Sequence, residues 1–157
     1  MTNALMTRRS ALLSAGAAIM ALPASGGAWA SAFPALKAYR NPGCGCCGKW
    51  AASLTAAGFK VEMFDDPELD KRRIAAGVPA DIAGCHTAYM GDKIIEGHVP
   101  AADIIRFLSE KPAALGLAVA GMPAGSPGME TDGAKDAYEV ILFAADGSRS
   151  VYARYGQ

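Results

Sequence analysis

Asn41-Pro42-Gly43-Cys44-Gly45-Cys46-Cys47-Gly48-Lys49-Trp50 places three of the chain's four cysteines within four positions. What stands on either side decides the fold. Upstream, Leu36–Arg40 is short and apolar-rich and stops at Asn-Pro-Gly, as a strand running into a loop does. Downstream, Trp50, Ala51, Leu54 and Ala57 recur at helical spacing, and Gly58 closes the run. Phe59–Phe64 then alternates apolar and charged residues, which predicts a second strand. The cysteines therefore sit at a strand-to-helix junction inside a βαβ unit.

The pattern continues past this unit. Asp66-Pro67-Glu68 predicts a second helix, with Asp66 as cap and Pro67 at the first helical position, closed by Gly77. A Pro/Gly-punctuated connector, Val78–Gly84, leads to Cys85 and His86. Thr87–Met90 and Lys93–Glu96 read as a hairpin around Gly91-Asp92. Ala101–Glu110 reads as a helix opened by Pro100 and stopped by Pro112. Pro112 to Ala137 is rich in Gly, Pro and Ala and reads as a long loop, either a functional cover or partly ordered against the core. Tyr138–Phe143 and Arg149–Arg154 form a last hairpin around Asp146-Gly147. A C-x-x-C between the first strand and helix of such a chain is the thioredoxin-like placement. The expected fold is α/β and thioredoxin-like, a mixed sheet with flanking helices and a C-terminal β-hairpin.

The N-terminus follows a different logic. Met1–Ala30 carries Arg8 and Arg9 and no acid, then an apolar stretch from Ala11 to Leu22. That stretch falls short of the roughly 20 residues a membrane helix needs. Ala28-Trp29-Ala30 matches a signal-peptidase site, so residues 1–30 read as an export signal cleaved before Ser31. The arginine pair also fits a twin-arginine signal. Residues 31–157 then form one domain, expected in the periplasm, without a stable membrane span. The whole chain balances 15 basic against 15 acidic residues, and two of the basic ones lie in the signal. Such a balance leaves no basic footprint for nucleic acid.

An exported chain with four cysteines invites a disulfide reading. Three of them crowd into one turn, however, where the first N–H groups of a helix and its dipole favour thiolate. Thiolate serves thiol–disulfide exchange and metal binding equally. Successive helical residues point about 100° apart, so the sulfurs of Cys46 and Cys47 diverge and suit a basin for several ions better than one tetrahedral ion. Cys44 could instead pair with Cys47, leaving Cys46 over. A structural disulfide, such as Cys47 to Cys85, is the plainer alternative. In the thioredoxin-like arrangement His86 occupies the place of the usual cis-proline, beside the C-x-x-C, with Cys85 just before it.

Thiolate-rich sites select soft ions. Cu(I), which accepts low coordination and bridging thiolates, matches the cluster best. Zinc as Cys₃His fits less well, because the paired C-x₂₋₄-C spacing is missing. His98 lies between a strand and a helix and becomes a candidate ligand only if its loop faces the cluster. Met122 and Met129 flank a Gly/Pro-rich stretch and read first as packing. Lys49 reads as a solvated residue beside the thiolates.

NPGCGCCGKW (41–50), AAGFKVE (56–62), AGCHTAYM (83–90), EGHVPAADI (96–104), GLAVAGMPAGSPGME (116–130) and SVYARY (150–155) together resemble the exported metal-binding family that includes the CopG-type copper-resistance proteins. The resemblance runs from Leu36 to Tyr155. It implies a thioredoxin-like fold, a periplasmic location and copper handling. It carries the metal role onto Cys44, Cys46, Cys47 and Cys85, with His86 and His98 as accompanying ligands. The expected function is copper binding in copper resistance, with Cu(I) in a multinuclear cysteine cluster, extended to copper redox chemistry and to partnership with other periplasmic copper-handling proteins. The alternatives are a thiol–disulfide oxidoreductase using Cys44 and Cys47 as catalytic residues, and a structural zinc domain.

Overall fold

The computed structural model describes residues 33–156. The expected export signal lies outside the described residues, but for them the mixed α/β reading holds. In chain order the elements are β1 (Leu36–Arg40), α1 (Gly45–Ala56), β2 (Val61–Asp65), α2 (Leu69–Ala75), a 3₁₀ turn (Ala80–Ile82), β3 (His86–Met90), β4 (Lys93–Glu96), α3 (Ala101–Glu110), β5 (Gly116–Ala118), β6 (Tyr138–Phe143) and β7 (Arg149–Tyr155). All seven strands join one sheet in the order β2-β1-β3-β4-β5-β6-β7. β1 runs parallel to β2 and antiparallel to β3, and β3 and β4 form the expected hairpin. β6 and β7 form the C-terminal hairpin.

Strand alternation divides the core between the two sheet faces. Leu36, Ala38, Ala88, Met90, Ile95, Leu117 and Val140 pack with Trp50 and Leu54 of α1 and Ile104 and Phe107 of α3. Ile94, Ala118 and Phe143 point the other way and pack with Val78 and Ile82. Adjacent strand residues face opposite sides, so Ile94 and Ile95 serve different clusters.

Local chemistry explains the element ends. Gly58 closes α1 in a left-handed conformation: its N–H donates to the Thr55 carbonyl and the Phe59 N–H to the Leu54 carbonyl. This is a Schellman cap, with buried Phe59 and Leu54 as its apolar contact. Because Phe59 is used in the cap, β2 begins at Val61, two residues later than the alternation suggests. α2 likewise begins at Leu69 and not at Pro67. Asp66 accepts the Glu68 N–H, so the turn it caps precedes the helix.

The largest departure lies within residues 112–137, where β5 adds a strand between β4 and β6. Three small or short apolar residues show no strand periodicity of their own. Gly116 is required there because a Cβ would come 1.9 Å from the Ile94 carbonyl oxygen. Gly128 in this segment packs against the start of α1, beside the Cys46 carbonyl and the Trp50 nitrogen, so the segment is partly ordered against the core.

Candidate metal centre

α1 begins directly at the cysteines. Cys44 is its N-cap, with extended backbone and no side-chain cap bond, and its carbonyl accepts Arg40 Nη1 at 2.9 Å. Arg40 also pairs with Asp65 at 2.8 Å, which ties the cysteine turn to the ends of β1 and β2. Cys47 is fully buried on the core side of the first turn, while Cys46 is half-buried on the open side. The divergence expected from helical geometry is therefore present.

Cys85 reaches these sulfurs from the segment that opens β3, where His86 is paired with Arg40 across β1. Its Sγ lies 3.4 Å from that of Cys47 and 3.7 Å from that of Cys46, and the Cys44 and Cys46 sulfurs are 3.4 Å apart. All four sulfurs lie within 4.8 Å of one another. Cys44 and Cys47 are joined as a disulfide, leaving Cys46 and Cys85 as free thiols. The Cys47–Cys85 staple is not formed. There is no cis peptide among the described residues.

Both histidines face the cluster. His98 Nε2 lies 2.8 Å from Cys85 Sγ, and His98 Nδ1 lies 2.6 Å from the Pro127 carbonyl oxygen. A carbonyl only accepts, so the ring proton sits on Nδ1 and the Nε2 lone pair is presented to the sulfur. His86 Nδ1 lies 3.5 Å from Cys85 Sγ, and its ring packs 4.0 Å from Trp50. His86 Nε2 is buried with no hydrogen-bond partner. A buried, unpartnered imidazole nitrogen is costly unless something else satisfies it.

The electrostatics suit a cation. Burial, reinforced by His98 and Arg73, pushes His86 down to about 3, and burial also lowers His98. Both rings are thus neutral and ligand-competent at neutral pH. Burial, then the neighbouring Cys46, pushes the Cys85 thiol up to about 12. Without a partner that thiolate is unfavourable, whereas a bound soft cation would deprotonate it. The donor set therefore fits a thiophilic ion.

Two supports escaped the sequence reading. The first is a buried ion pair beneath Cys85. Fully buried Glu96 accepts Arg73 Nε at 2.9 Å, the Gly84 N–H at 2.8 Å and Thr87 Oγ1 at 2.6 Å. These bonds tie α2 and β4 to the peptide just before Cys85. A glutamate ending an apolar strand was the only signal in the sequence. The second is the loop over α1. A Cβ on Gly128, which has φ +86°, would lie 2.7 Å from both the Cys46 carbonyl oxygen and the Trp50 nitrogen. Glycine lets the loop touch the helix, and that contact sets Pro127 against His98. The same loop puts the exposed Met122 Sδ 3.9 Å from Cys46 Sγ. No sulfur contact to the cluster involves Met129, whose carbonyl instead closes a turn with the Gly125 N–H.

Solved structures share this fold. One titled "Copper resistance protein copG- Form 1" is 42% identical, with a TM-score of 0.75, over 79% of this chain and 99% of its own. The chain belongs to the CopG family. A second CopG structure, Form 2, is also 42% identical, with a TM-score of 0.74, over 78% of this chain and 98% of its own. A family described as "Protein of unknown function, DUF411" matches residues 82–129, the stretch holding Cys85, His86, His98 and the covering loop of this CopG relative. No curated protein sequence matches the chain. No helix among the described residues is long and apolar enough to cross a membrane.

Proposed function

We propose that the protein is a periplasmic copper-binding protein of copper resistance, holding Cu(I) as a multinuclear cluster on the thiolates of Cys44, Cys46, Cys47 and Cys85 in their reduced state. The observation that carries this reading is the meeting of four sulfurs within 4.8 Å of one another. Sulfurs so close repel as thiolates, and several monovalent soft cations bridging them remove that repulsion. His98 and His86 supply neutral nitrogen donors at the rim formed by Cys85. Membership in a family whose solved members are titled copper resistance proteins supports copper over zinc. The scaffold is read as thioredoxin-like, from the βαβ unit joined to a β-hairpin and helix.

Anaerobic titration of the reduced protein with Cu(I), read as metal per chain, tests the proposal. More than one Cu(I) per chain is expected, falling in Cys46→Ser. One or fewer, or a count indifferent to Cys46→Ser, would sink the cluster.

A second reading has its own support. The bond between Cys44 and Cys47 is the one a dithiol exchange protein would carry when oxidised. Insulin reduction by metal-free protein, lost in Cys44→Ser and Cys47→Ser, would favour it. The nearby dithiol also makes copper redox chemistry a natural extension of the first reading.

A further inference from the structure

With Cys44 and Cys47 joined, the site is a different ligand set. Two thiols remain, Cys46 and Cys85, and their sulfurs are 3.7 Å apart. For a metal–sulfur bond of about 2.3 Å, two sulfurs at that separation subtend about 107° at one ion. That angle suits a single ion held by both. His98 Nε2, 2.8 Å from Cys85 Sγ, stands ready as a third donor with its proton held away on Nδ1 by Pro127. The half-buried Cys46, beside exposed Met122, gives the ion a way in from solvent.

We infer that the oxidised protein carries a second, mononuclear Cu(I) site made of Cys46, Cys85 and His98, distinct from the multinuclear cluster of the reduced protein. The inference rests on the copper-binding reading above. Charge counting gives its physical reason. Four thiolates bring four negative charges and need several Cu(I) ions to neutralise them. A disulfide sulfur carries no charge and is a poor donor, so forming Cys44–Cys47 removes two of those charges. Two thiolates remain, and one Cu(I) with a neutral imidazole brings their two negative charges down to one.

The Cys44–Cys47 bond thereby sets how much copper the protein holds. In reduction, an external dithiol gives two electrons and two protons; the S–S bond breaks, two thiols form, and the dithiol becomes a disulfide. In oxidation, an external disulfide takes two electrons from the Cys44 and Cys47 thiolates, the S–S bond re-forms, and the surplus Cu(I) leaves on the dithiolate so produced while one ion is retained.

The test compares two forms of the same protein, one reduced and desalted, one oxidised. Alkylation with peptide mass analysis locates free thiols, and competition against a chromogenic chelator counts Cu(I). The oxidised form is expected to alkylate at Cys46 and Cys85 only and to bind one Cu(I) per chain. Binding is lost in Cys46→Ser and in Cys85→Ser. The double variant Cys44→Ser/Cys47→Ser, kept reduced, should also bind one, which separates ligand count from redox handling. An oxidised form that binds none, or as much as the reduced form, overturns the inference. So does alkylation at Cys44 or Cys47, or one Cu(I) retained by Cys46→Ser. If the reduced form binds only one while the oxidised form still binds one at Cys46 and Cys85, the multinuclear reading fails and the mononuclear site stands.

Discussion

His98 Nε2 lies 2.8 Å from the Sγ of Cys85, thirteen residues earlier in the chain, while its Nδ1 donates to Pro127, twenty-nine residues later. A single imidazole thus joins the segment before β3, which carries the fourth cysteine, to the loop that covers the first three. One nitrogen is held by the backbone, and the other faces the Cys85 sulfur, where a bound metal would take the place of the thiol proton.

Replacing this ring should therefore weaken copper binding without unfolding the protein. His98→Ala is expected to lower Cu(I) affinity about tenfold or more, in the range seen when groups that hold or orient ligands are removed. Competition against a Cu(I) chelator reads the change, and circular dichroism checks the fold. Unchanged affinity would remove His98 from the site.

The covering loop depends on a glycine at its contact with α1. Gly128→Ala places a methyl group 2.7 Å from the Cys46 carbonyl oxygen and the Trp50 nitrogen, at a positive φ. Backbone strain and overpacking each cost about 1–3 kcal/mol. The expected result is a lowered unfolding midpoint in urea together with weaker copper binding, because Pro127 moves with Gly128. Loss of stability with intact affinity would show that the loop does not orient His98.

Glu96 and Arg73 form a buried pair with side-chain exposures of 0% and 10%. Removing Arg73 strands the charge of the fully buried Glu96, at a cost of about 3–5 kcal/mol, whereas Arg73 would keep Asp70 if Glu96 were removed. Arg73→Ala should show this loss in chemical denaturation. An Arg73→Met/Glu96→Leu double variant should lose less, since it strands no charge. Equal losses in the two would mean that packing, and not charge, dominates there.

Acid should weaken the protein partly through Asp66. The Arg72 guanidinium, followed by the Glu68 N–H, holds the Asp66 carboxyl below the usual carboxylate range. A depressed folded-state value means the unfolded chain takes up the proton first as pH falls. The stabilisation is complete above the ordinary value of about 3.9 and is lost as pH drops through the lower folded value. Urea midpoints of wild type and Asp66→Asn should differ at pH 7 and converge below about pH 4. A gap constant with pH would contradict the assignment.

Much of this was legible in the residues themselves. Period-two alternation, Pro100 and Pro112 around α3, and Gly58 after α1 are local signals, because backbone geometry and hydrogen-bond closure are local. They set element type and order for all but β5 and the 3₁₀ turn at Ala80–Ile82. The cysteine turn at a strand-to-helix junction was local too. β5 was not legible: Gly116, Leu117 and Ala118 become a strand only because β4 and β6 offer open edges on either side. The Arg73–Glu96 pair was hidden for the same reason, since its partners meet only across the fold.

The sequence by itself determined a soft, thiol-rich site at the head of a helix, with Cys85-His86 as the segment to join it. Only the tertiary structure decided that His98 faces Cys85, that Cys44 and Cys47 are the bonded pair, and that Cys46 and Cys85 are left facing each other. Helical periodicity can place a sulfur on a face. It cannot say which distant strand or loop will cover that face, because that depends on how the whole sheet buries its apolar surface.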